Sequence, residues 1–239
     1  MIEVPALVAA IDAALRERAV PERAAGEKAY LKSDLDHYGT ALPVIRRIVR
    51  TETRPAKLTH DEVVALAGAL WAAPVHERRV AASELLVAKV DLLQASDITL
   101  LERLLRESRT WALVDSLAAS AVGPLLAREP GLGSALDRWA ADDDFWLRRA
   151  ALLALLVPLR RGGGDFERFG RYADTMLEEK EFFVRKAIGW VLRDTGKLRP
   201  ELVFDWLLPR AARASGVTVR EAVKYLKEDQ RAAVLAVRR

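Results

Sequence analysis

The stretch Trp146-Leu147-Arg148-Arg149-Ala150-Ala151-Leu152 decides the fold class, because its pattern recurs along the chain. An aromatic or bulky residue comes first, then a basic pair, then an alanine-rich apolar run. Clear and degenerate copies start at positions 44, 76, 111, 146, 183 and 218, which are 32 to 37 residues apart. Self-similarity with such a period is typical of helical-repeat proteins, in which each unit buries its apolar face against its neighbours.

A second helical stretch precedes most copies of the motif, so each repeat is predicted to be a pair of antiparallel helices. These stretches lie near residues 61–71, 96–107, 133–141, 165–179 and 200–208, and two further helices are predicted near 5–18 and 22–35. Helix-start residues such as Thr59, Asp97 and Asp165 support these beginnings. No long segment alternates with the period of two that a strand requires. The sequence therefore predicts an all-α solenoid of about six HEAT-like helix pairs, forming one domain over residues 1–239.

Composition excludes several classes of protein. Apolar residues make up 51% of the 239 and charged residues 30%, which is too apolar for a disordered chain. The absence of cysteine excludes a disulfide scaffold, a cysteine-ligated zinc site and a thiol nucleophile. The three histidines, His37, His60 and His76, are far apart in sequence, so no imidazole metal cluster and no cofactor are expected. The chain has no apolar run of membrane-spanning length and no targeting signal, so a cytoplasmic protein is expected.

The net charge of +4 comes mainly from arginine, and the repeated motif determines where much of that charge lies. The basic pairs are Arg46-Arg47, Arg78-Arg79, Arg148-Arg149 and Arg185-Lys186. Equivalent positions of stacked helices share one surface, so these pairs predict a basic track along a concave wall, as a long polyanion requires. The alternative interpretation is that they are solvated helix ends, or that they form salt bridges between repeats.

The third copy of the motif replaces the basic pair by a different pattern, Trp111-Ala112-Leu113-Val114-Asp115. Trp111 and Asp115 are four residues apart and therefore project from the same helix face. The packed face is predicted to consist of Leu113, Val114, Leu117 and Ala121. Arginines nearby favour an ionised Asp115, and an indole beside an anion suits a flat cationic ligand such as an alkylated DNA base. The alternative is that Asp115 forms a salt bridge with Arg148 or Arg149 while Trp111 belongs to the core.

Several segments together resemble the AlkD-type DNA alkylation repair proteins, which are DNA glycosylases built from HEAT-like repeats. The matching segments are Ala29-Tyr30-Leu31-Lys32, Leu70-Trp71, His76-Glu77-Arg78, Trp111-Ala112-Leu113-Val114-Asp115-Ser116, Trp146-Leu147-Arg148-Arg149-Ala150-Ala151, Lys180-Glu181-Phe182-Phe183-Val184-Arg185-Lys186-Ala187-Ile188-Gly189-Trp190-Val191-Leu192-Arg193 and Arg220-Glu221-Ala222-Val223-Lys224. Their order and spacing are more specific than any one segment alone, and they span most of the chain.

The resemblance implies a right-handed, C-shaped solenoid that holds double-stranded DNA in a basic concave groove. It implies excision of cationic bases, N3-alkyladenine and N7-alkylguanine, without flipping the base. Because no residue is singled out as an amine nucleophile, we expect a monofunctional glycosylase that leaves the strand intact, and we expect it to act as a monomer. The family's catalytic aspartate falls on Asp115, its tryptophan on Trp111 and its arginine on Arg149, which can hold Asp115 in place. Two aromatic residues that border the lesion fall on Tyr30 and Trp190.

Two other functions stay open at this stage. One is a helical-repeat protein that binds distorted or branched DNA without catalysis, against which Asp115 argues. The other is a scaffold for proteins, because helical arrays often serve that purpose and a fold does not identify a function. A scaffold would have no affinity for DNA.

Overall fold

The computed structural model describes residues 3–237, and the chain divides into two compact units, Met1–Leu117 and Ala118–Arg239. The predicted single domain, 1–239, includes the terminal pairs 1–2 and 238–239, which lie outside the described residues. Within residues 3–237 the secondary structure is helical and contains no strand, apart from an isolated bridge between Asp36 and Val75. The all-helical prediction is therefore confirmed.

The first unit consists of helices that pack around α5. They are α1 (Val4–Glu17), α2 (Pro21–Leu31), α3 (Leu42–Thr53), α4 (His60–Trp71), α5 (His76–Ala88), α6 (Ile98–Ser108) and α7 (Trp111–Leu117). Helix α5 packs against α3, α4 and α7, and α1 covers α3 and α4. The centre of this unit is formed by side chains such as Leu66, Leu70 and Leu85, which are fully buried.

The second unit opens with a π-helical segment, Ala118–Val122, and repeats the same pairing around α13. Its helices are α8 (Gly123–Arg128), α9 (Gly133–Ala140), α10 (Phe145–Leu153), α11 (Leu156–Arg160), α12 (Phe166–Thr175), α13 (Phe182–Gly196), α14 (Pro200–Leu207), α15 (Gly216–Ala222) and α16 (Glu228–Ala236). Helix α13 packs against α10, α11, α14 and α15. Gly189 permits the approach of α15, because a Cβ there would lie 2.8 Å from Cβ of Glu221.

The motif copies mark the second helix of each pair, as the sequence predicts. The helices α3, α5, α7, α10, α13 and α15 begin within two residues of the six motif starts. Successive second helices pack on each other within each unit, α3 on α5 and α5 on α7 in the first, α10 on α13 and α13 on α15 in the second. The predicted repeats therefore agree with the packing of the second helices inside each unit.

Local capping explains several of the helix ends. Thr59 and Glu62 form a reciprocal capping box at the start of α4, and the Asp165 side chain accepts a hydrogen bond from the Arg168 amide at the start of α12. The predicted second helix is too long, because Lys32 adopts a left-handed conformation (φ 50°) and ends α2 at Leu31. The helix predicted to reach residue 179 also ends early, at Thr175, and residues 176–178 continue as turns.

Distance in sequence does not keep all the histidines apart. The rings of His37 and His76 stack with their centroids 4.5 Å apart and their planes 10° apart. His60 makes a different contact, because its Nε2 lies 2.9 Å from Oδ2 of Asp97. A search of the described residues finds no helix long and apolar enough to cross a membrane.

Candidate functional site

Two aromatic side chains that the sequence singles out meet in the first unit. Tyr30, near the end of α2, is 74% exposed, although a tyrosine ring is usually more buried. Trp111 is the first residue of α7 and is half-buried. The two ring centroids lie 6.1 Å apart and the rings are perpendicular, at 88°, which is a favourable edge-to-face arrangement. This contact fixes the aromatic surface at the start of α7.

Asp115 lies one helical turn after Trp111 on the same helix, and it is half-buried. The other face of α7 is anchored, since Leu113, Val114 and Leu117 are fully buried. The helix-face argument from the sequence is therefore confirmed for these apolar residues. The carboxylate is not inside the apolar interior, so its position is compatible with contact to a ligand.

A cavity of about 250 Å³ lies beside the Tyr30–Trp111 pair, within the first unit. Apolar atoms form most of its wall, and its polar contributors include Ser116 and Glu84. Arg46 lies at this cavity and donates to both carboxylate oxygens of Glu84, at 2.9 Å from Nε and 3.1 Å from Nη2. The arrangement combines aromatic surface with a fixed ion pair, which is a pattern typical of ligand sites.

The basic pairs of the first unit differ in how far their side chains are available to a ligand. Arg47 is exposed, and its guanidinium forms no hydrogen bond or ion pair with the described part of the chain. Arg78 is only 17% exposed and donates to the Ala69 carbonyl at 3.0 Å. Arg79 donates to the Glu107 carbonyl at 2.8 Å, and burial lowers the pKa of its guanidinium.

The basic pairs of the second unit are mostly engaged with the protein itself. Arg148 forms an ion pair with Glu179 at 3.0 Å and donates to the backbone carbonyls of residues 142 and 143. Arg185 donates to the Glu179 carbonyl. Arg149 is 3% exposed and donates to the Phe183 carbonyl. Lys186, by contrast, is exposed, with Nζ 6.0 Å from the centre of the Phe182 ring.

These contacts agree in part with the alternative interpretation of the basic motif, in which its arginines form salt bridges between repeats. The pairs Arg46–Glu84 and Arg148–Glu179 are ion pairs between helix-pair neighbours, as that alternative predicts. Arg47 and Lys186 keep their charges on the surface, as a polyanion site requires. Each basic pair therefore has one member or more with a structural task, and DNA contact by its arginines and lysines stays a prediction.

Trp190 is half-buried on α13 and is held by an acid that the sequence reasoning missed. Its Nε1 donates to Asp194 at 3.2 Å, and Asp194 also accepts from Arg160 at 2.7 Å and from Lys197 at 3.0 Å. Burial raises the pKa of the Asp194 carboxyl, but the hydrogen bonds and positive charges around it outweigh that effect and lower it. The signal in the sequence is the four-residue spacing from Trp190, which places both side chains on one helix face.

Sequence reasoning also did not single out Glu77 and Glu84, which both lie on the alanine-rich helix α5. Both are buried, and a buried carboxylate is rare unless it is paired. An acid inside an otherwise apolar stretch was the available signal. The distances that pair Glu84 with Arg46 span two helices and cannot be read from spacing.

The fold defines an all-helical protein built from repeated helix pairs. The sequence profile of the DNA alkylation repair enzyme family matches residues 11–226. The chain belongs to that family.

Solved structures share the fold. One is described as a predicted DNA alkylation repair enzyme from Enterococcus faecalis; it is 21% identical, with 88% of this chain and 98% of that chain covered and a TM-score of 0.78. Another is AlkD2 from Streptococcus mutans, which is 18% identical, with 87% and 99% covered and a TM-score of 0.61. At these identities the likeness establishes the fold. No curated protein matches the chain significantly.

Proposed function

We propose that this protein is a DNA glycosylase that removes cationic alkylated purines, N3-alkyladenine and N7-alkylguanine, from double-stranded DNA. The observation that carries the proposal is the first-unit group of Tyr30, Trp111 and Asp115. The two rings are in edge-to-face contact, and the half-buried carboxylate follows one turn after the indole. Membership of the DNA alkylation repair enzyme family supports it.

The chemistry follows from the charge of the damaged base. Alkylation of a ring nitrogen places a positive charge on the base, so the base leaves as a neutral molecule and needs no general acid. Breaking the N-glycosidic bond develops positive charge on the deoxyribose. The carboxylate of Asp115 stabilises that charge and orients or deprotonates the attacking water.

The aromatic residues and the buried arginine are assigned positioning roles. Trp111 contacts the sugar and backbone through its polarisable face, and Tyr30 borders the lesion. Trp190, in the second unit, is assigned contact with the DNA backbone. The family resemblance assigns a positioning role to Arg149, which is 3% exposed on α10. With no amine assigned as nucleophile, the enzyme is monofunctional and leaves the strand intact. The base stays stacked in the duplex during excision.

DNA binding is assigned to the basic residues of both units, namely Arg46, Arg47, Arg78, Arg79, Arg148, Arg185 and Lys186. Arg47 and Lys186 are the strongest candidates for phosphate contact, because both are exposed. The protein acts as a monomer on chromosomal DNA in the cytoplasm.

Release of 7-methylguanine from methylated duplex DNA, measured by chromatography of the freed bases, tests the assignment. Asp115→Asn keeps the size of the side chain and removes its charge, so we expect release to fall by at least about 100-fold, as for loss of a group that stabilises transition-state charge. Duplex affinity should stay nearly unchanged. The matched control is Asp205→Asn, a substitution at an exposed acid on α14, which should leave release unaltered.

The outcomes separate the alternatives. Equal release by Asp115→Asn and the wild-type protein rejects the catalytic role of Asp115. Tight binding of DNA without any release by the wild type indicates a DNA-binding protein without catalysis. No affinity for duplex DNA at low salt indicates a protein scaffold.

A further inference from the structure

Three side chains with metal-binding chemistry converge in the first unit, beside the cavity next to Tyr30 and Trp111. Glu27 on α2, His37 in the segment between α2 and α3, and Glu77 on α5 each offer one ligand atom, and these atoms lie within 4.8 Å of one another. Two carboxylate oxygens and an imidazole nitrogen form a donor set suited to Zn²⁺ and similar divalent transition metals.

The imidazole of His37 is poorly satisfied by the protein. Both of its ring nitrogens are buried and find no hydrogen-bond partner in the described residues. His76, which is only 7% exposed and whose Nδ1 is likewise without a partner, stacks on the His37 ring. Buried polar atoms without a protein partner are uncommon, and an ion or a water molecule can satisfy them.

Glu77 presents the complementary problem of a buried negative charge. Its side chain is fully buried, and its two oxygens accept hydrogen bonds from the amides of Gly39 and Tyr38, at 2.6 and 2.9 Å. No lysine, arginine or histidine forms an ion pair with it in the part of the chain that the structure describes. Each oxygen retains a lone pair, and a cation beside it would offset the desolvation of the carboxylate.

We propose that Glu27, His37 and Glu77 bind a divalent transition-metal ion of the Zn²⁺ class, with water as the fourth ligand. Metal–ligand distances of about 2.0–2.2 Å require the donors to approach within roughly 3.5 Å of one another. Glu27 makes that movement: its side chain is 26% exposed and forms an ion pair with Arg23 at 2.5 Å, which the metal would replace. The cavity lined by Glu27 and His76 gives the ion a path of entry.

The site explains how α2 is held in position. Helix α2 has no buried residue, so apolar packing contributes little to its attachment. Glu27 lies on α2 one turn before Tyr30, while Glu77 belongs to the buried part of α5. A metal ion that joins Glu27 to His37 and Glu77 would tie α2 to the core and would fix the backbone that carries Tyr30.

Titration with ZnCl₂ after chelator treatment, followed by calorimetry, tests the proposal without DNA, so its failure is distinguishable from failure of the glycosylase assignment. We expect one Zn²⁺ per chain, and binding at least about 10-fold weaker in His37→Gln and in Glu27→Gln. His60→Gln is the matched control, because His60 also contacts two carboxylates yet lies outside the cluster. That variant should bind Zn²⁺ as the wild type does.

Hydrogen exchange supplies a second readout, because bound Zn²⁺ should slow exchange of the α2 amides in the wild type and not in His37→Gln. Undiminished binding by His37→Gln, or no binding by the wild type, would overturn the proposal. So would Zn²⁺ binding that leaves exchange in α2 unchanged, since the site joins α2 to α5. Glu77→Gln is not used, because that carboxylate also holds the segment at Tyr38 and Gly39.

Discussion

Replacing Asp194 by asparagine removes the charge from the acid that holds Trp190. Asp194 is 2% exposed, and its Oδ2 accepts from Nε of Arg160 at 2.7 Å and from the Trp190 indole at 3.2 Å. The same oxygen lies 2.7 Å from Nη2 of Arg160. Oδ1 of Asp194 lies 3.0 Å from Nζ of Lys197 and 3.3 Å from Nε of Arg193. All of these partners are donors, so no rotamer of an asparagine can satisfy both sides.

The size of the effect follows from the bonds lost. If the asparagine oxygen keeps Lys197, its amide faces Arg160 and Trp190 and cannot accept from them. A hydrogen bond to a charged group contributes about 1.5–3 kcal/mol, and the lower end applies to Arg160 because its side chain is 42% exposed and water can replace part of the bond. With the weaker indole bond added, we expect a loss of about 2 kcal/mol, or a Tm lower by about 4–8 °C for a chain of this length.

Urea unfolding followed by circular dichroism measures this loss, with Asp205→Asn as an exposed control in the same unit.

The contribution of the Asp194 charge to the free energy of unfolding depends on pH with a defined sign. The pKa of Asp194 is below its ordinary value of 3.8 in the folded protein, so the charge stabilises the fold above about pH 3.8 and the stabilisation is lost as the pH falls further. A difference from the wild type below about 0.5 kcal/mol at pH 7 would refute this reasoning, because that is the scatter of a neutral surface substitution.

Two further comparisons use matched positions. Gly39→Ala should prevent stable folding of the first unit, because φ of Gly39 is +80° and a Cβ there would lie 2.1 Å from the Val20 carbonyl oxygen. Gly26→Ala in α2 should instead raise the stability by about 0.5–1 kcal/mol, because a Cβ there meets nothing within 4 Å. Thermal unfolding measures both effects. Arg47→Ala should reduce the slope of log DNA affinity against log salt concentration by about one unit, because the Arg47 side chain is exposed. Arg148→Ala should change the slope by clearly less, because the Arg148 side chain is already paired with Glu179. Equal changes of slope in fluorescence titrations would contradict this distinction.

The sequence predicts the repeats well because packing in a helical array is local. A motif start such as His76 or Trp111 is also the first residue of a helix, since the apolar period and the helix boundary arise from the same stacked geometry. The prediction fails where one residue's backbone conformation decides the outcome. Lys32 ends α2 in the left-handed region, which is a conformation that lysine rarely adopts and that composition does not reveal.

The partners of the charged residues could be predicted only in part. A spacing of four residues on one helix is enough to relate Asp194 to Trp190. The ion pair between Arg46 and Glu84, by contrast, joins two helices, and the two residues are 38 positions apart in sequence. The contact between His37 and His76 depends on the course of an irregular segment. Such contacts are set by tertiary packing, which no local pattern records.

The position of Asp115 within the repeat is the strongest reason to assign it a function rather than a structural task. When the motif copies are aligned on their first residue, the fifth position is Val80, Ala150 and Ala187 in three of them, and all three are buried apolar residues. In the third copy the same position carries a half-buried carboxylate. Placing an ionisable group where the repeat otherwise buries an apolar one opposes folding. Local departures from a consistent folding pattern concentrate at functional sites, so the exception in this copy supports the role proposed for Asp115.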